Sequence, residues 1–129
     1  MPLTRISVPQ HLPAQRIQAL ADAVHTGLVN ACAVPDDDRF QLITRFSADD
    51  MLLNPTFGGM SRTADASVVE ILFLAGRSHE QKRDLYRRVA DLAVTAGFKP
   101  DDIMIALSEN ASIDWTVGRG QAFEGHRQP

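Results

Sequence analysis

Three residues far apart in the chain could together perform acid–base and anion chemistry: Pro2, Asp38 and Arg77. Pro2 follows the initiator methionine, and a small second residue normally permits removal of Met1, which exposes a secondary amine. A free terminal amine has a reference pKa of about 8. Burial or a neighbouring cation such as Arg77 lowers that value toward the range of a general base. A carboxylate such as Asp38 raises it and favours a cationic, acid-like amine. The balance between the two neighbours therefore selects the chemistry. Each residue also has a plainer reading. An amino-terminal proline commonly reflects tolerance of methionine removal, Asp38 ends a run of three aspartates that suits a solvated turn, and arginine is common on surfaces. Arg77 nonetheless precedes a helix, whose amino end prefers anions, and that local conflict favours a functional role.

The remaining reactive residues carry less. Cys32 lies near a helix end and reads as a buried structural thiol. His11, His25, His79 and His126 have no metal-ligand spacing with Cys32 or with one another. Gly118-Arg119-Gly120 lacks the third glycine and the strand–helix setting of a dinucleotide loop. Arg83, Arg87 and Arg88 form an ordinary solvated helix face.

The elements that must position Pro2, Asp38 and Arg77 follow from periodicity. Pro2, Thr4, Ile6 and Val8 share one face of a strand over Pro2 to Val8. From Ala14 to Ala33 the spacing becomes helical, with Ile17, Leu20, Ala21, Val24 and Leu28 on one stripe. Val34-Pro35 stops that helix, and Phe40 to Phe46 reads as a second strand. Ser47 to Ala66, with Asn54-Pro55 and Gly58-Gly59, is a long connection. Ser67 to Leu74 is β-branched and almost continuously apolar, as in a central strand. Ser78 and Gln81 have capping-box spacing, and Leu85, Val89, Leu92 and Ala96 mark the buried stripe of a helix ending at Gly97. Ile103 to Leu107 is a fourth strand, and the tail from Glu109 to Pro129 has no clear period.

Shifted by about 65 residues, the two halves coincide. Pro35-Asp36-Asp37 falls on Pro100-Asp101-Asp102, and Pro2 on Ser67. The economical fold is α+β: tandem β-α-β units with pseudo-twofold symmetry, forming a four-stranded mixed sheet with two helices on one face. Residues 1–129 then make a single domain, with units at 2–46 and 67–108 and a tail at 109–129. Strands are parallel within each unit, so Asp38 lies near Pro2. If the first strands of the two units pair antiparallel, Arg77 arrives beside Pro2 as well. The second face of such a sheet needs cover, which oligomerisation usually supplies.

Composition excludes several classes. The 129 residues carry 13 Lys and Arg against 16 Asp and Glu, a net charge of −3, which argues against binding nucleic acid by bulk charge. No apolar run reaches the roughly 18 to 20 residues of a membrane span. The first ten residues lack a signal-peptide core. A single cysteine cannot form an intrachain disulfide, so a cytoplasmic location is the default.

The start Pro2-Leu3 and the segment Gly76-Arg77-Ser78-His79-Glu80-Gln81-Lys82 resemble the tautomerase superfamily. The resemblance is closest to malonate semialdehyde decarboxylase and its fused two-unit relatives. Those carry a Val-Pro-x-x-Asp-Arg-aromatic-Gln segment, matched by Val34 to Gln41, and a late Asp-Trp pair, matched by Asp114-Trp115. It implies Pro2 as the catalytic proline, Asp38 as the carboxylate that positions or activates water or substrate, and Arg77 as the clamp on a substrate carboxylate. It further implies Trp115 and Phe123 as an apolar wall, no cofactor, a small carboxylate-bearing substrate and a homotrimer. Two positions depart from it: Ala75 stands where a second arginine is expected, and Val117 where an aromatic residue is expected. The leading expectation is a keto–enol tautomerase acting on small 2-oxo acids or enols. Decarboxylation or hydration of 3-oxo acids is the alternative, and a non-catalytic binding module on the same scaffold is a third.

Overall fold

Alternation along the first strand sets the layering. In the computed structural model, which describes residues 1–124, β1 (Pro2–Pro9) buries Pro2, Thr4, Ile6 and Val8 and exposes Arg5. Helix α1 (Ala14–Cys32) buries Ile17, Leu20, Ala21, Val24 and Leu28, the stripe that the spacing predicts. It returns the chain to β2 (Gln41–Phe46), parallel to β1. The second unit repeats this path through β3 (Ser67–Leu74), α2 (His79–Thr95) and β4 (Ile103–Asn110). β1 and β3 pair antiparallel at the centre, giving the order β2-β1-β3-β4. The α+β architecture read from the two halves is the one observed.

Between sheet and helices lies one core, with Ile6, Val8, Leu20, Val24, Leu28, Val69, Ile71, Phe73, Leu85 and Val89 all at 1% exposure or less. Each side chain of that size contributes about 1.5–3 kcal/mol on burial. The helices approach closely at Gly27, where a Cβ would stand 2.8 Å from Val89 Cγ2. A glycine is required there to keep the crossing.

Some boundaries differ from the sequence reading, each for a local reason. Leu92 is 38% exposed and Ala93 is buried in its place, because a step of four from Val89 holds the stripe over the core better than a step of three. β4 continues past Leu107 to Asn110, since β3 offers partners as far as Leu74. β3 buries alternate residues only: Glu70 is exposed, and Val68 and Leu72 are half-buried. Its continuous apolar run therefore serves an outer sheet face that a single chain leaves open. Arg5 and Glu70 sit opposite each other at the centre of that face. The tail folds back on itself through a short 3₁₀ turn at Ser112–Asp114 and a bridge from Thr116 to Ala122. His126 lies outside the described residues. Among the described residues no helix is long and apolar enough to cross a membrane.

The connection is tied down at its far end. Thr63 donates to the buried Asp102 carboxylate twice, through its backbone N–H at 2.7 Å and its hydroxyl at 2.5 Å. Thr63→Val removes the second bond while leaving the carboxylate buried. It should cost about 1.5–3 kcal/mol, read as a lower urea midpoint with an unchanged slope. Two residues on, Asp65 accepts from Arg16 Nη1 at 3.1 Å and pairs with His11 Nε2 at 2.8 Å. The His11 bond holds the Asp65 carboxyl below its ordinary value of 3.8, with Arg16 acting in the same direction and partial burial opposing. A carboxylate depressed in the folded state stabilises fully above its unfolded value and loses that contribution as pH falls through the folded one. The stability gap between the parent and Asp65→Asn should therefore shrink as pH drops below 3.8; a gap that stays constant on acidification would remove Asp65 from the account.

Candidate active site

Pro2 opens β1 at the end of the sheet where β3 finishes, directly opposite Phe73 in the antiparallel ladder. Cross-strand partners of this kind are about 5 Å apart. The Phe73 ring, fully buried, forms a platform for Arg77, whose guanidinium carbon lies 4.9 Å from the ring centroid. Arg77 Nη1 donates to the Leu74 carbonyl at 2.8 Å, folding the side chain back over the end of β3. Ser78 fixes where α2 begins, since it accepts from Gln81 N–H while the Gln81 side chain accepts from Ser78 N–H. Capping thus leaves Arg77 as the last residue of the loop, at the end of the sheet where β1 begins. Phe73 reads as an ordinary core residue in the sequence, and only its place opposite Pro2 discloses the second role.

Asp38 arrives from the other side. Ala33 ends α1 in the left-handed region at φ 55°, a conformation costly for alanine. The chain then turns through Pro35 to Asp38, closed by Asp38 N–H on the Pro35 carbonyl at 3.0 Å. Asp38 is 6% exposed. The Met1 ammonium nitrogen lies 3.0 Å from its Oδ2, and beyond this ion pair neither carboxylate oxygen has a hydrogen-bond partner among the described residues. Pro2 N is one residue along, so the topology brings the amino terminus, Asp38 and Arg77 to one end of the sheet.

The other half of the molecule holds an internal control. Thr4 pairs with Gln41, whereas Val69, its counterpart at 65 residues, pairs with Ile105. The second strands are thus offset by 64, and Asp102 is the counterpart of Asp38. This corrects the sequence alignment, which put Asp37 on Asp102. Asp102 is 2% exposed and satisfied by Thr63, while Asp38, 6% exposed, has the Met1 ammonium beside Oδ2 and no further hydrogen-bond partner among the described residues. A buried carboxylate held by one terminal charge and no further hydrogen bond is costly, and its counterpart shows that this fold can satisfy one fully. Oδ2 of Asp38 faces the amino-terminal amine.

Trp115 stands at the end of β4, its indole N–H donating to Asn110 Oδ1 at 2.6 Å. The Asn110 carbonyl accepts from Ala75 N–H at 2.8 Å, so one residue ties the indole to the end of β3. Trp115 lines a cavity of about 210 Å³ with Met1, Leu3, Phe40, Thr116 and Val117. The wall is apolar, and Val117 keeps its place in it although 60% exposed. Leu3 and Phe40 complete this wall; both lie in the motif segments of the sequence, Pro2-Leu3 and Val34 to Gln41, although the sequence alone assigns them no wall role. Phe123 N–H donates to the Trp115 carbonyl at 2.9 Å, but its side chain lines a separate hollow in the tail, with Gln121 and Glu124. Ala75 is exposed and contributes only backbone.

The charges around the site are of both signs. Burial pushes the Cys32 thiol up, opposed by the Arg77 charge, which suits a structural thiol under the site. Lys82 pairs with Glu109 at 2.5 Å and holds that carboxyl below its usual range. Among the described residues no group of three His, Cys, Asp or Glu is placed to hold a metal. A cavity of about 400 Å³ lies at the opposite end, between Pro9, Phe46, Met51, Leu53 and Arg62. Arg62 there donates to the Asn54 and Phe57 carbonyls, and His11 pairs with Asp65. The titratable side chains that line it, His11 and Arg62, are therefore both engaged.

Comparison with known proteins places the chain in a family. A family profile described as "Tautomerase enzyme" matches residues 38–118. The probable tautomerase YusQ of Bacillus subtilis (strain 168) is 28% identical over 123 residues, covering 95% of this chain and 97% of its own. The FG41 malonate semialdehyde decarboxylase, inhibited by 3-bromopropiolate, superposes with a TM-score of 0.87 at 31% identity, over 92% of this chain and 91% of that one. A fused 4-OT symmetric trimer shares the fold with a TM-score of 0.76 at 20% identity, over 93% and 94%.

Proposed function

The chain belongs to the tautomerase family, and from that premise we propose that it is a cofactor-independent tautomerase of small 2-oxo acids and their enols, with Pro2 as the proton carrier. The observation that carries this reading is the Arg77 guanidinium, ordered on Phe73 and on the Leu74 carbonyl at the end of the sheet where β1 begins. With Met1 removed, the Pro2 amine takes the place beside Asp38. In ketonisation its nitrogen accepts the enol O–H proton, the enol electrons move to carbon, and the ammonium returns a proton there. Arg77 holds the substrate carboxylate and stabilises enolate charge, in a guanidinium already ordered by Phe73 and Leu74. Trp115, Leu3 and Phe40 receive the apolar end of the substrate and exclude water; Phe123 supports the Trp115 loop.

With Ala75 in place of a second arginine, the site suits one carboxylate rather than two. Phenylenolpyruvate should therefore be ketonised faster than 2-hydroxymuconate, followed by loss of enol absorbance. A second reading, decarboxylation or hydration of a 3-oxo acid, is favoured by the same Asp38, because a carboxylate next to the amine keeps it cationic. Carbon dioxide release from malonate semialdehyde without ketonisation of either enol would move the assignment there. No turnover of any of the three would favour a binding module. The outer sheet face suits further copies of the chain, and a trimer in the cytoplasm is the assembly we assign; light scattering of the intact protein tests it.

A further inference from the structure

Apart from the ion pair with the Met1 ammonium, which is lost when Met1 is removed, the Asp38 side chain has no hydrogen-bond partner among the described residues, so its carboxylate is aimed by the backbone that carries it. That backbone, residues 36–41, is fastened to one edge of α1 on both sides of Asp38. Beyond it, Arg39 donates to Asp22 at 2.8 Å and to Gln41 Oε1 at 2.9 Å, and Gln41 donates to the Ala21 carbonyl at 2.8 Å. Before it, His25 Nε2 lies 2.8 Å from the Asp36 carbonyl oxygen. A carbonyl only accepts, so Nε2 carries the hydrogen. The Arg39–Asp22 pair is exposed, at 36% and 65% for its two side chains, and such pairs contribute little. The His25 side chain is 9% exposed, and a hydrogen bond shielded from water is the firmer fastening. His25 is also the one imidazole among the buried residues of α1, on a helix edge that apolar residues otherwise occupy. The Asp36 carboxylate points into solvent, 97% exposed and 3.6 Å from Nε2, so the backbone carbonyl is the partner that matters.

We propose that His25 is a positioning residue: by holding the Asp36 carbonyl, it keeps the Asp38 carboxylate against the amino-terminal amine. The inference rests on the reading of Asp38 given under the proposed function. The test follows the Pro2 nitrogen of the whole chain lacking Met1 by ¹⁵N NMR during a pH titration. A neighbouring carboxylate raises an amine's pKa, so Asp38→Asn should lower the Pro2 value by about one unit. His25→Leu should lower it in the same direction by about half a unit or more, and should add nothing in an Asp38→Asn background. His25→Gln, uncharged but still offering an N–H of similar reach, should restore the parent value; His25→Asn, too short to reach, should behave as His25→Leu and replaces it if that variant does not fold. Turnover per folded molecule should fall about tenfold in His25→Leu with KM within twofold, one decade corresponding to a barrier change of 1.36 kcal/mol. A normal Asp38→Asn shift with no His25→Leu shift, or two shifts that simply add, overturns the role of His25 alone. Absence of any shift in Asp38→Asn overturns the reading of Asp38, and the inference with it.

Discussion

A chain that carries one permanent residue ahead of Pro2 should lose at least about a hundredfold in kcat/KM against the same chain beginning at Pro2. Acid–base catalysis by a placed group contributes about 10² to 10⁴, and an added residue converts the Pro2 nitrogen into an amide with no basic lone pair. The geometry adds a second loss. In the chain beginning at Met1 the new ammonium sits 3.0 Å from Asp38 Oδ2, and Met1 lines the apolar cavity. The extra residue thus occupies both the carboxylate and the wall. Pro2→Ala is a milder change, because a processed alanine still presents an amine beside Asp38. The processed parent should be fastest, the processed Pro2→Ala variant slower and the extended chain slowest, measured on samples whose amino terminus is established by intact mass. An extended chain as fast as the processed one would take the amine out of the reaction.

Arg77→Ala should lower kcat/KM by about 10² to 10³, the range for loss of one preorganised donor to developing negative charge. No neighbouring guanidinium takes over, since Ala75 presents only a methyl group at the position two residues before. Arg77→Lys should recover little. Its ammonium cannot offer a planar fork, and the stacking of the guanidinium on Phe73 is specific to that shape. Folding should survive both changes, because Arg77 is only partly buried and its hydrogen bond goes to a strand-end carbonyl. Steady-state kinetics beside thermal unfolding separates the two effects. A loss of stability that fully explains the loss of rate would reduce Arg77 to a structural cap.

Much of this was legible in the chain because the relevant physics is local. Alternation in Pro2 to Val8, the helical stripe from Ile17 to Leu28 and the Ser78–Gln81 box each follow from a few adjacent residues. Together with the repeat they allow a central antiparallel pair, which the structure supplies, and that pair brings the end of β3 toward Pro2. What escaped depends on contacts between elements. Leu92 and Ala93 both fit a helical stripe, and only the crossing of α2 over the core decides between them. Phe73 looks like any core residue until the ladder sets it opposite Pro2. Nothing in the composition of Asp36-Asp37-Asp38 distinguishes a solvated turn from a buried carboxylate; the distinction comes from His25 and from Met1, far away along the chain. The Asp38–Asp102 correspondence needed the strand registers, because the repeat slips by one residue between first and second strands.

The account turns on the Pro2 amine being the group that moves the proton. Its pKa can be read directly by ¹⁵N NMR on the processed chain and set against the pH dependence of kcat/KM for phenylenolpyruvate. The account predicts that one limb of the rate profile coincides with the Pro2 titration, and that both move down together in Asp38→Asn. A rate profile that keeps its limbs while the Pro2 titration moves would contradict it.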